Sequence, residues 1–118
     1  NAVKHFKFEP RGKRRLHKSP DAGEVQACRW WLEREMRTLS PKLIVGIGGT
    51  APRAPLGRPG RITELRGRLI ETPEGLPLFP TVHPSYILRI PDPADQERER
   101  QRFVDDMTRV RDELARLG

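Results

Sequence analysis

Three features of the 118-residue chain predict an α/β layered fold. Leu43-Ile44-Val45-Gly46-Ile47 is a continuous apolar run between breakers, the pattern of a strand buried on both faces in a parallel sheet covered by helices. Two longer segments, one before that run and one at the end of the chain, carry apolar residues at helical spacing. Strand-like and helix-like patterns alternate between them, the order expected of layered α/β architecture.

Taken in order, Ser19-Pro20 suits a helix start, with Ser19 as cap and Pro20 at the first helical position. Val25, Cys28, Leu32, Met36 and Leu39 then recur at steps of three or four, predicting one apolar stripe on a helix that ends at Ser40-Pro41. Gly48-Gly49-Thr50 turns the chain after the buried strand, and Pro52, Pro55 and Pro59 make any helix that follows short or irregular. Short strands are expected at Ile62–Glu64, Arg68–Glu71 and Leu76–Val82, and a helical turn over Tyr86–Ile90. Phe103, Met107, Val110, Leu114 and Leu117 define the strongest element, a helix from about Pro93 to Leu117 with charges on its opposite face. There is no internal repeat.

Composition narrows the classes. The length fits one domain or a piece of one, and excludes a multidomain enzyme. No apolar run approaches the roughly 20 residues needed to span a membrane, and no signal peptide is visible. One cysteine cannot form an internal disulfide, which favours a reducing, cytoplasmic setting. The chain opens with Asn1 rather than Met, inside what reads as a strand end, so a fragment is expected.

The formal charge of +7 is uneven. Residues 1–18 hold seven basic side chains and one acid, a net +6, whereas residues 92–118 hold six basic and eight acidic groups, a net −2. The stretch Gly12–Lys18 therefore reads as a concentrated cationic loop, suited either to a polyanion such as nucleic acid or simply to solvent.

Several residues invite a chemical reading. Gly46-Ile47-Gly48-Gly49-Thr50-Ala51 matches a dinucleotide-binding pattern after a strand, but Pro52 and Pro55 spoil the helix that pattern needs, and a tight turn is the plainer reading. Cys28 lies on an apolar stripe and reads first as a packing residue; His5, between Lys4 and Phe6, is also unremarkable by itself. With no second cysteine, the chain cannot assemble a complete metal site. His83 follows an apolar strand and precedes Pro84-Ser85, at the carboxyl end where α/β folds collect ligands. His17 follows Lys13-Arg14-Arg15-Leu16; cations around an imidazole disfavour its charged form and keep it nucleophilic, although a histidine at a helix entrance is the equally simple reading.

In order along the chain, Asn1-Ala2-Val3-Lys4-His5-Phe6, Lys13-Arg14-Arg15-Leu16-His17, Gly46–Ala51 and His83-Pro84-Ser85 resemble the family-4-related uracil-DNA glycosylases, specifically the UdgX type, over essentially the whole chain. The Lys-Arg-Arg-Leu-His segment is the most specific element. The resemblance implies a three-layer α/β/α fold with a central, mainly parallel sheet, of which 1–118 forms the C-terminal portion of a single domain. It implies that Asn1 reads the uracil edge and that His83 bonds uracil O2 and stabilises the departing anion. Lys13, Arg14 and Arg15 would grip DNA, and Ser85 and Tyr86–Arg89, with Arg89 as a cation, would enter the groove and support the flipped nucleotide. His17 would bond covalently to the deoxyribose after uracil leaves. Cys28 matches one ligand of the superfamily's [4Fe–4S] cluster, and His5 falls where another ligand stands. The implied partner is uracil-containing DNA, single-stranded as well as duplex, bound by a monomeric repair enzyme.

The chain departs from that pattern in two ways. The family's N-terminal part is missing, including its Gly-rich acidic motif, its uracil-stacking aromatic and two cluster cysteines, so these 118 residues alone are expected to be inactive and without a cluster. Pro52 and Pro55 stand where family members carry Ala and Leu. Two other functions fit the residues: hydrolytic excision with turnover, and a non-catalytic module that binds DNA or uracil in DNA through the basic segment.

Overall fold

A computed structural model describes residues 7–18, 21–48 and 62–118. The first element is a hairpin, β1 (Phe8–Arg11) and β2 (Arg14–His17), antiparallel, with Phe8 opposite His17 and Arg11 opposite Arg14. This corrects the expected cationic loop. A two-residue turn, Gly12-Lys13, closes the hairpin, and Gly12 takes φ +63°, which favours glycine. The turn therefore sets the local structure despite the charged composition.

Helix α1 spans Ala22–Leu39. Its cap is Asp21, not Ser19. The Glu24 backbone N–H donates to Asp21 Oδ1 at 2.9 Å, and the Asp21 N–H donates to Glu24 Oε1 at 3.2 Å, a reciprocal capping box. Ser40 ends the helix in the left-handed region at φ 48°, its N–H bonded to the Met36 carbonyl at 2.8 Å. Val25 and Cys28 are buried and Leu32 and Met36 half-buried, but Leu39 is 77% exposed, so the stripe stops one turn early. On the outer side Trp30 and Trp31 lie with ring centroids 3.9 Å apart, and the Arg34 guanidinium stands 5.7 Å from the Trp30 ring.

Strand β3 covers Ile44–Ile47. A single helical turn, α2 (Ile62–Leu65), follows where a strand was expected. Four residues cannot distinguish a period of two from one of 3.6, and here the chain coils into Arg66 and Gly67. Strand β4 is only Ile70–Glu71, and β5 is Pro77–Thr81. The sheet order is β3-β5-β4, with β3 parallel and β4 antiparallel to β5. The described sheet thus combines one parallel and one antiparallel pairing.

The central strand is β5, where Leu78, Phe79, Pro80 and Thr81 are fully buried. β3 is not buried on both faces as expected: only Gly46 is buried, and Ile47 is exposed. A proline inside a central strand normally removes a ladder bond. Pro80 is tolerated because β4 pairs no further along β5 than Leu78, while the Pro80 carbonyl still accepts from the Gly67 N–H at 3.0 Å.

Helix α3 is Pro84–Leu88, and α4 runs from Pro93 to Leu117, within the expected limits. Asp92 caps α4 through the Ala94 N–H at 2.9 Å, ahead of Pro93 at the first helical position. Phe103, Met107 and Val110 are half-buried, whereas Leu114 and Leu117 are exposed. The most buried residue of α4 is a carboxylate, Asp106. No described helix is long and apolar enough to cross a membrane.

Asp106 Oδ2 accepts from Arg66 Nε at 3.1 Å and from the Thr81 hydroxyl at 2.8 Å, while Arg66 Nη1 reaches Glu99 Oε2 at 2.6 Å. Burial works against the Arg66 charge. Hydrogen bonds and then the charges of Glu99 and Asp106 outweigh it, holding its pKa above the ordinary guanidinium value. Beside this group, Arg109 Nη1 donates to the Gly67 carbonyl, and its guanidinium stands 5.6 Å from the Phe79 ring. Arg66 Nη2 is buried and unpartnered among the described residues. Removing Asp106 would leave the buried Arg66 Nε–H and Thr81 hydroxyl without their acceptor, with only Glu99 still paired to the guanidinium, so Asp106→Ala should lower unfolding free energy by about 3 kcal/mol in urea titration. A loss below ~1 kcal/mol would show that the pair is effectively solvated.

Candidate active site

The site forms where two parallel strands end side by side. Thr81, the last residue of β5, pairs with Ile47, the last of β3, and the Gly48 N–H donates to the Thr81 carbonyl at 2.9 Å. Gly48 has φ +94°, and a Cβ built there would lie 3.6 Å from the His83 Cβ. The turn after β3 therefore passes directly against His83. A glycine serves here mainly because of that backbone angle, which side chains other than Asn or Asp adopt poorly.

His83 is exposed and caps α3. The Ser85 N–H donates to His83 Nδ1 at 3.0 Å, followed by Pro84 at the first helical position. With the Nδ1 lone pair so engaged, the N–H of the neutral ring is carried on Nε2. The exposed imidazole thus offers a hydrogen-bond donor from a fixed ring. Ser85 is half-buried, and Arg89 ends α3 as an exposed cap residue. Tyr86 and Leu88 project beside them, 45% and 77% exposed, an apolar pair on a surface turn.

The hairpin carries further residues singled out in the sequence, and no described contact joins it to His83. Lys13 stands exposed at its turn, and Arg14, Arg15 and His17 belong to β2, with Arg15 opposite Pro10. Its base is closed by the Lys18 N–H bonded to the Lys7 carbonyl at 3.0 Å. Lys7 Nζ then pairs with Glu24 and lies 3.7 Å from Asp21 Oδ2, so the hairpin is clamped to the capping box of α1. The hydrogen bond to Glu24 is the main cause raising the Lys7 pKa, and the Glu24 backbone N–H is the main cause lowering that of Asp21, with Lys7 contributing.

The structure brings His83 together with Gly48 and Ser85, as the order of motifs suggests. Asn1 and His5 lie outside the described residues, as do Gly49–Ala51 of the glycine-rich turn. Cys28 is buried on the inner side of α1. Among the described residues no group of three or more His, Cys, Asp or Glu could hold a metal ion, and the sequence has one cysteine. These residues do not fit a four-cysteine cluster, and no chemical step is assigned to one. A surface groove between the end of α1 and the β4–β5 turn, lined by Glu33, Arg37 and Glu74 among others, contains none of the predicted site residues.

Sequence reasoning missed Lys7, Thr81 and Asp106. Asp106 carried a usable signal: it stands three residues after Phe103 and four before Val110, an acid within an apolar stripe. Thr81 and Lys7 carried none, because each depends on a partner distant in the chain.

The clamp has a defined pH window. A raised lysine pKa gives stability that is full below about 10.5 and lost as pH rises through the higher folded value. A lowered aspartate pKa gives stability that is full above about 3.8 and lost as pH falls through the lower folded value. The difference in melting temperature between wild type and Lys7→Met should be largest between these limits and shrink beyond either one. A difference that does not vary with pH would refute the ionic clamp.

Comparison with known proteins agrees with the motifs. A family model described as the uracil DNA glycosylase superfamily matches residues 1–108. The type-4 uracil-DNA glycosylase of Thermotoga maritima is 35% identical over 74 residues, which cover 62% of this chain and 38% of that protein. The chain therefore spans well under half the length of the curated relative it matches.

Proposed function

This chain belongs to the uracil DNA glycosylase superfamily, and on that premise we propose that its protein excises uracil from DNA and traps the sugar on His17. The observation that most supports this reading is the exposed His83 ring just past the end of β5, held through Nδ1 by the Ser85 N–H so that Nε2 is the nitrogen left to donate. Cleavage of the N-glycosidic bond leaves its electron pair on uracil and oxocarbenium character on the sugar. A preformed donor aimed at uracil O2 stabilises the first of these charges.

In this reading Asn1 selects uracil through its side-chain amide, which matches O4 and N3–H. Lys13, Arg14 and Arg15 hold phosphates of a single strand or of a duplex opened at the flipped base. The exposed Tyr86, Leu88 and Arg89 on α3 suit the groove and the space left by that base. Once uracil has left with the electron pair of the broken bond, a lone pair of the His17 imidazole bonds to the anomeric carbon, and the imidazolium so formed releases its N–H proton to solvent. Because this adduct is not hydrolysed, each protein acts once. The remaining wall of the pocket would come from residues outside this chain, in a three-layer α/β/α domain with a mainly parallel sheet.

The test is incubation of the complete protein with uracil-containing single-stranded DNA. A denaturant-resistant protein–DNA band should form in amounts not exceeding the protein, and His17→Ser should abolish it. Free uracil in many-fold excess over protein would instead indicate turnover. His83→Ala should slow uracil release about 10²–10³-fold. Salt-sensitive DNA binding without any base loss would leave only a binding module.

A further inference from the structure

We propose that Thr81 is a positioning residue for His83, held in place by the buried Arg66–Asp106 pair. The inference rests on the role given to His83 above and extends it to a residue that touches neither DNA nor uracil. Two independent constraints meet at Thr81, one through its side chain and one through the strand ladder. Its hydroxyl donates to Asp106 Oδ2 at 2.8 Å, its carbonyl accepts from the Gly48 N–H at 2.9 Å, and its backbone is paired with Ile47 across the parallel strands. Thr81 is fully buried. Two residues later the chain delivers His83, separated only by the buried Val82.

A packing role alone does not call for this chemistry. Valine has nearly the shape of threonine, and a buried polar network is often no more stable than a well-packed apolar one. A directional hydrogen bond to a fixed carboxylate does what apolar contact cannot: it sets both the height and the rotation of the strand end. Asp106 is itself fixed by Arg66 Nε, and Arg66 by Glu99, so the reference point lies on α4 and not on the strand itself. The same strand end carries Gly48 on its other side, against the His83 Cβ. Misplacing a reacting group by about 1 Å can cost on the order of a hundredfold in rate.

The experiment compares Thr81→Val and Thr81→Ser in the complete protein. Thr81→Val should lower the single-turnover rate of uracil release about ten- to a hundredfold. The DNA concentration giving half that rate should stay within about twofold of wild type, since Thr81 contacts no phosphate. Thr81→Ser, which keeps the hydroxyl, should restore most of the rate. Equal loss in both variants, or a wild-type rate in Thr81→Val, overturns the inference. Hydrogen exchange supplies a readout independent of activity: the Gly48 and Ser85 amides should exchange about tenfold faster in Thr81→Val, with the amides of α1 unchanged. Unchanged exchange at both amides also overturns it. Absence of uracil release by the wild-type protein, with the exchange effect present, defeats the reading of His83 and not the coupling of Thr81 to it.

Discussion

A single carboxylate oxygen, Asp106 Oδ2, organises the described part of this molecule. It accepts from a guanidinium on the turn after α2 and from a hydroxyl on β5, while its own backbone belongs to α4. Three segments that are far apart in sequence therefore share one acceptor. The cost of placing ions in a low-dielectric interior makes such a centre unforgiving, because each group is stable there only while the others are present. The buried apolar residues Leu78, Phe79, Val82 and Ile87 exclude water without choosing among nearby registers. The choice of register falls to the polar centre.

This division explains which parts of the fold were legible in the sequence. Helix α4 was, because an apolar period runs for about four turns from Phe103 to Leu117 and the helix is bounded by Asp92-Pro93 and Gly118. The place of α1 was legible too, although its cap moved from Ser19 to Asp21, since capping depends on the Glu24 partner as much as on residue type. Ile62–Glu64 was not, because so short a segment takes its conformation from Arg66 turning inward to Asp106. The burial of the strands was exchanged for a similar reason. The apolar run at Leu43–Ile47 looked more central than Pro77–Thr81, yet strand order places β5 between the other two and leaves Ile47 exposed.

At the site, the legible features were those a motif concentrates in a few adjacent residues. His83-Pro84-Ser85 contains within three positions the imidazole, the helix start and the amide that orients the ring. The basic segment was visible as composition, but its hairpin form depends on Gly12, and its attachment to α1 depends on Lys7. The two parts are held by different forces: the strand end by buried, directional bonds, and the hairpin base by an ion pair open to solvent. The first resists salt and the second does not.

His83 also has a consequence for how such a chain could diverge. Its Nδ1 serves the backbone and its Nε2 is left to donate, so one ring holds up a helix and presents a donor. Asparagine and serine satisfy a helix start at least as well as histidine. One replacement of that kind would preserve α3, the sheet and the basic hairpin while removing the imidazole. The capping duty of this position and its imidazole are thus separable by a single substitution that the rest of the architecture would not register.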